Sequence, residues 1–358
     1  MDKRDLASFY KGKRVLLTGH TGFKGTWMCA VLKSFGAEVT GYALDAPTTP
    51  SLYDMTCMSE GMNDIRGDIR DLDSLKAAFE VAKPQIVLHM AAQPLVRASY
   101  DDPVGTYDTN VMGTVNVMEC CRLAAANGLK SVVNITTDKV YRNTERAEGY
   151  KEDEELCGYD PYSNSKSCSE LVTDSYRNSF LRDAGVAVST VRAGNVIGGG
   201  DFAKDRIIPD CVRAMEKGED IIVRNPFSTR PYQHVLEPLM AYLLVAAMQY
   251  DDMTYASAYN VGPDDEDCLT TGELVTLFCD KWSQVTGTKA TWINKHDGGP
   301  HEAGLLKLDS TKLKNTFGWR PVWHMDTVMT RIVEWTKVYI DGGDVTRTMQ
   351  EQIGEFVS

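Results

Sequence analysis

KRVLLTGHTGFKG, residues 13 to 25, joins a short apolar run to a glycine-rich turn, and its reading decides how the first half of the chain is understood. Val15, Leu16 and Leu17 are apolar at consecutive positions, as in a strand covered on both faces. Gly19, Gly22 and Gly25 then follow at G-x-x-G-x-x-G spacing. Glycines let the backbone turn sharply and approach a diphosphate, whose charge is stabilised by the N-terminus of the next helix. The stretch predicts a strand, a phosphate-gripping turn that includes Thr21 and Phe23, and a helix near residues 23–35.

Outward from this point the pattern repeats. EVTGYAL, IRGDI, QIVLHMAA, SVVNITT and VAVSTVRAGNVI are β-rich, and helical stretches fall around 73–82 and near 103–127. Strands apolar on both faces need helices on both faces, so the expected fold is α/β, a Rossmann-type doubly wound parallel sheet. Beyond about Val196 the regularity weakens, with helical segments near 207–217, 235–249, 272–285 and 325–339. The expected division is a dinucleotide-binding domain over 1–196, with a return segment near 235–262, and a smaller interleaved substrate-binding domain mainly over 197–358.

Composition narrows the function classes. The 358 residues are 43% hydrophobic and 25% charged, as in soluble proteins, and the net charge of -12 argues against nucleic acid or an anionic membrane surface. The start lacks the apolar core of a signal peptide, and the best apolar run, Leu239 to Met248, is too short to span a bilayer, so a cytoplasmic protein is expected. Nine cysteines without a C-x-x-C pair read as reduced thiols. Six histidines show no ligand spacing, and the acidic run Asp264, Asp265, Glu266, Asp267 reads as a solvated loop, so no metal is expected.

In such sheets ligands sit at the carboxyl ends of the strands. Asp45, twenty residues past Gly25, is placed to accept from the adenosine ribose of NAD, and no Arg stands between Tyr42 and Ala46 to favour NADP, although a turn role fits Asp45 equally. Asp68 and Ile69 end the third strand, where they suit an adenine; a helix cap is the rival role for Asp68. NITTDKVY, residues 134 to 141, sets Thr137, Asp138 and Lys139 together where a buried strand ends. Among sixteen tyrosines only Tyr162 has a lysine four residues later, Lys166, on the same face of a helix. A nearby ammonium favours the phenolate and makes a tyrosine a usable general base.

Together these residues resemble the extended short-chain dehydrogenase/reductase family, and within it the nucleotide-sugar 4,6-dehydratases. The likeness runs through GHTGFKG, APTTPSLY, GDIRD, HMAAQPLVR, TNVMGTV, NITTDK, GYDPYSNSK, VRAGNVIGGGD, DRIIPD, RPYQHVLEP and LKLD. It implies NAD as cofactor, CDP-glucose as substrate, a homodimer or homotetramer built on the helical stretches near 103–127 and 162–182, and a place in deoxysugar synthesis for a surface polysaccharide such as lipopolysaccharide. It also implies that Tyr162, with Lys166 and Thr137, takes the proton of the sugar 4-hydroxyl, and that Asp138 protonates the departing 6-hydroxyl. Lys139 is expected to be the base at C5 when neutral, with stabilisation of an enolate as its alternative role. His89, Ala91, Ala92 and Asn110 are expected near the cofactor, and Gln93, Asn195, Arg206, Arg230 and His234 near the substrate; a satisfied core histidine is the rival role for His89, a backbone hydrogen bond near Tyr162 or a helix cap for Asn110, and a surface charge for Arg206. A 4-epimerase shares the fold, NAD and the Tyr-Lys pair but needs no acid and base at C5 and C6. A non-catalytic dinucleotide-binding scaffold needs neither.

Overall fold

A computed structural model, describing residues 3–295 and 304–358, carries a seven-stranded parallel sheet. Its strands are β1 (Arg14–Thr18), β2 (Glu38–Ala43), β3 (Asn63–Arg66), β4 (Ile86–His89), β5 (Ser131–Thr137), β6 (Ala187–Ala193) and a returning strand, Ala258–Val261. Across the sheet the order is Ala258–Val261, β6, β5, β4, β1, β2, β3. The chain winds outward from β1 to β3, then restarts at β4 on the other side of β1. That reversal opens a crevice at the carboxyl ends of β1 and β4, where Thr18 pairs with His89.

Side-chain burial explains the strands. Ile86, Val87 and Leu88 are fully buried, and every residue of β5 and β6 is buried. Helices cover both faces, each buried Val, Leu or Ile contributing about 1.5–3 kcal/mol. The helix Phe23–Ser34 begins where the glycine-rich turn ends, and Gly22 caps it without any side chain. The apolar run around Leu239 lies in the helix Leu236–Asp251, buried on almost every side, where Gln249 donates to the Val132 carbonyl of β5 at 3.0 Å. None of the described helices is long and apolar enough to cross a membrane.

The stretch near 103–127, anticipated as one helix, divides into Pro103–Tyr107, a π turn over Asp108–Met112, and Gly113–Ala124. The wider turn buries Asn110. Its amide accepts from the Gln93 N–H at 2.8 Å and donates to the Gln93 carbonyl and to Ser165 Oγ, fixing the chain after β4 against the helix Pro161–Tyr176. That helix is anchored again by Glu170, which takes hydrogen bonds from Thr136 on β5 and from Thr190 and Arg192 on β6.

The acidic run is partly structural. Asp267 is buried, and its oxygens accept from the Met325 N–H and meet His324 Nδ1, both at 2.8 Å, which ties the loop to the start of the helix Met325–Ile340.

Candidate active site

β5 ends at Thr137 in extended backbone, and Asp138–Val140 form a single tight helical turn immediately after it. The Thr137 hydroxyl donates to Asp138 Oδ1 at 2.9 Å and accepts from the Lys139 N–H at 3.4 Å. Asp138 is completely buried, and its Oδ2 has no hydrogen-bond partner. Lys139 Nζ reaches Asp138 Oδ1 at 3.1 Å and Asn195 Oδ1 at 3.2 Å. The three adjacent residues of NITTDK therefore form one hydrogen-bonded group.

Facing them is the helix Pro161–Tyr176. Asp160 caps it by accepting from the Ser163 N–H, and Pro161 occupies its first turn, where the missing N–H costs nothing. This start puts Tyr162 at the cavity and Lys166 one turn deeper. Burial pushes the Tyr162 phenol up to about 12, while its hydrogen bond with Thr137 and the Arg206 cation pull it down. Burial pushes the Lys166 ammonium down to about 8, opposed by Glu170. Lys166 donates to the Ile135 carbonyl at 3.2 Å. The cation drawing the phenol down here is therefore Arg206, where the sequence pointed to Lys166. Arg206 is itself held by Asp201 at 3.0 Å.

Both sets open on one cavity of ≈ 1830 Å³. At one end it is walled by Gly19, Thr21, Gly22, Phe23, Gly25, Asp45, Asp68 and Ile69, with Ala91 and Ala92 beyond. At the other it is walled by Thr137, Lys139, Tyr162, Asn195, Arg206 and Arg230. The glycines are required by shape. Gly19 has φ +77, and a Cβ on Gly25 would stand 2.1 Å from the Gly19 carbonyl oxygen. With no side chain capping the helix behind them, the turn's N–H groups suit the diphosphate of a dinucleotide. Ile69 lies against Gly113, where a Cβ would come within 2.5 Å.

Four anticipated contacts are corrected by the structure. His234, expected at the substrate, is buried edge-on between Trp27 and Trp323, with ring centres 5.8 and 4.9 Å away. His89, expected at the cofactor, lies behind the cavity wall, bonded to Thr18 Oγ1 at 2.8 Å and Thr114 Oγ1 at 3.3 Å. Gln93, expected at the substrate, turns its amide to Leu95 and Thr106. Asn110 lies behind the wall, away from the cofactor, and takes its other expected role, bonding Gln93's backbone and Ser165 on the helix of Tyr162. His89, Gln93 and Asn110 are polar side chains satisfied by their own surroundings, and His234 is held by aromatic rings with its Nε2 unpartnered, none of which spacing reveals.

Two charged residues, one beside the cavity wall at Asp45 and one lining the cavity, were not anticipated. Arg66, arriving from β3, places Nη1 3.8 Å from Asp45 and Nη2 3.1 Å from Asp64, with its guanidinium 5.0 Å from the Tyr53 ring centre. β2 itself carries no arginine; Arg66 comes from the neighbouring strand. Lys24, inside GHTGFKG, also lines the cavity. It is the one charged residue in the apolar first turns of its helix, a signal that was available in the sequence.

Comparison with known proteins agrees with this geometry. The profile of the family described as GDP-mannose 4,6 dehydratase matches residues 16–332. The chain is 48% identical over 357 residues to a CDP-glucose 4,6-dehydratase of Salmonella typhimurium, covering 98% of each. It is 26% identical to a probable dTDP-glucose 4,6-dehydratase of Sinorhizobium fredii, over 92% of this chain and 93% of that one. Among solved structures, a UDP-glucose 4-epimerase of Thermus thermophilus in complex with NAD superposes with a TM-score of 0.76 at 25% identity, covering 90% of this chain and 99% of the other.

Proposed function

The chain belongs to the GDP-mannose 4,6 dehydratase family, and we propose that it converts CDP-glucose to CDP-4-keto-6-deoxyglucose with NAD as its cofactor. The dehydratase relative that is 48% identical supports this substrate. The observation that carries the reaction class is the Asp138–Lys139 contact beside Thr137 and Tyr162.

Bound NAD supplies a hydride acceptor for C4 and a hydride donor for C6. Around it the chain's own groups move the protons. Tyr162, as phenolate, takes the 4-hydroxyl proton; Arg206 and the Thr137 hydroxyl lower the cost of that charge. The resulting ketone acidifies the proton on C5. Shifting one proton across the 3.1 Å contact from Lys139 Nζ to Asp138 Oδ1 creates an amine and a carboxylic acid together. The amine then takes the C5 proton and the acid gives its proton to the departing 6-hydroxyl, releasing water. Asn195 holds Lys139 in place, and Arg206 and Arg230 offer planar donors to the substrate diphosphate.

A 4-epimerase is the second reading, because one such enzyme shares the fold. It has no use for an acid and a base at C5 and C6. Mass spectrometry of CDP-glucose incubated with the protein and NAD in deuterated water separates the two. Loss of one water with one deuterium at C5 supports dehydration, and an unchanged formula with inverted C4 supports epimerisation. GDP-mannose and dTDP-glucose run in parallel test the nucleotide.

Two copies are inferred to pair through the helices Gly113–Ala124 and Pro161–Tyr176, because Leu123 and Leu171 on them, with Met112 and Phe180 in the π turns that adjoin them, expose large apolar side chains. Sedimentation showing a stable monomer would remove that inference. Nine unpaired cysteines suit a reducing compartment such as the cytoplasm.

A further inference from the structure

CDP-glucose is longer than the part of the cavity assigned so far. With the glucose at Tyr162 and the diphosphate at Arg206 and Arg230, the nucleoside falls on the wall beyond them. That wall continues through Asp205, Asp210, Ile222, Arg224 and Asn225. It is built outside the seven-stranded sheet. Asp205 directly precedes Arg206, and Asp210 lies in the first turn of the helix Ile207–Lys217. Ile222 lies in the strand Ile221–Val223, which pairs with Trp292–Asn294 and packs on that helix.

A chain of ion pairs organises this wall. Arg224 Nη1 meets Asp205 Oδ1 at 2.7 Å, and Nη2 meets Asp210 Oδ2 at 3.0 Å, so the guanidinium is gripped between two carboxylates. Asp205 stands at φ +61, a left-handed backbone that Asp and Asn adopt more readily than other side chains. Among the described residues, Arg224 is the hydrogen-bond partner of the Asp205 side chain. A carboxylate carries two oxygens that only accept, so its contact with Arg224 fixes the group and leaves Oδ2 to accept from a ligand. Asn225 spends its Oδ1 on the Phe227 N–H at 3.3 Å, and its amide therefore offers donors.

Pyrimidine bases differ where such an acceptor meets them. Cytosine carries an amine at C4, whereas uracil and thymine carry a carbonyl oxygen there. A fixed carboxylate accepts from the amine and repels the carbonyl, which adds a penalty against the wrong base to the gain from the right one. We propose that the carboxylate of Asp205, held by Arg224, selects cytosine among the pyrimidines by accepting from its 4-amino group. The proposal rests on the CDP-glucose reading above. Asn225 complements it by donating to the ring N3 or O2, and the half-exposed Ile222 gives the flat base an apolar contact.

The test is calorimetry of CDP and UDP binding to the NAD-loaded enzyme and to its Asp205→Asn variant. The parent should bind CDP on the order of 10²-fold more tightly than UDP. Asparagine accepts the left-handed backbone, keeps the shape and can turn its amide N–H toward the uracil carbonyl. In the variant the two nucleotides should therefore bind within about threefold of each other. Arg224→Gln, which loosens the carboxylate, should lower the preference more weakly and carries the test if Asp205→Asn does not fold. A preference that stays at the parent value, whether both affinities hold or fall together, overturns the proposal. A parent protein without preference for CDP would instead reject the CDP-glucose reading.

Discussion

Lys139 Nζ lies 3.1 Å from Asp138 Oδ1, a carboxylate with no exposure to solvent. One proton shared across this contact makes an acid and a base available together. Lys139→Met should therefore abolish deuterium entry at C5, slowing it on the order of 10²–10⁴-fold. Entry at the parent rate, measured by mass spectrometry in deuterated water, would remove Lys139 as the base.

Arg206 is the cation that draws down the Tyr162 phenol. The base must be deprotonated to act, so Arg206→Met should move the acid limb of kcat/KM to higher pH. Tyr162→Phe should lose activity on the order of 10²–10⁴-fold across the range, with an unchanged melting temperature. An acid limb that stays in place in Arg206→Met would separate Arg206 from the base.

His89 and His234 are buried, and burial pushes each from 6.5 down to about 3. The unfolded chain binds protons at both sites below pH 6.5 while the native state does not, so stability is lost as pH falls from 6.5 toward about 3. The loss at pH 5 should be about 2 kcal/mol per histidine. Urea midpoints at pH 7 and pH 5 measure it, and equal midpoints would contradict it.

Asp45 is almost fully exposed, and Arg66 stands 3.8 Å from it with Asp64 on its other side. Two carboxylates around one guanidinium repel the extra phosphate of NADP. Asp45→Ser should remove one of the two carboxylates and tighten NADP binding about tenfold, read by calorimetry. An unchanged NADP affinity would show that Arg66 does not face the ribose.

Glu170 and Arg192 are both buried and paired at 2.9 Å. Glu170→Gln leaves Arg192 without its counter-charge and should cost about 3–5 kcal/mol. Thermal unfolding checks this, and a change below about 1 kcal/mol would mean that the Thr136 and Thr190 hydroxyls, not the charge, hold the helix.

Periodicity was enough for the sheet. Apolar residues on consecutive positions demanded two covered faces, and the glycine spacing located the first turn and its helix because Gly19, at φ +77 and 2.7 Å from Ala91 N, and Gly25, 2.1 Å from the Gly19 carbonyl, leave no room for a Cβ. The Tyr162 and Lys166 pair was legible for the same local reason: four residues is one helical turn. The division of 103–127 by a π turn was not legible, since it answers to Gln93, seventeen residues away.

By itself the sequence determined the fold class, the site edge and the grouping of Thr137, Asp138 and Lys139, because all of these follow from neighbours along the chain. Only the tertiary structure decided which polar side chains reach the cavity. It sent His89 and Gln93 to hydrogen-bond partners within the protein and His234 in among aromatic rings, and it brought Lys24 to the cavity and set Arg66 against Asp45 beside it. Direction and burial of a side chain depend on what packs across from it, and that information lies in residues far away in the chain.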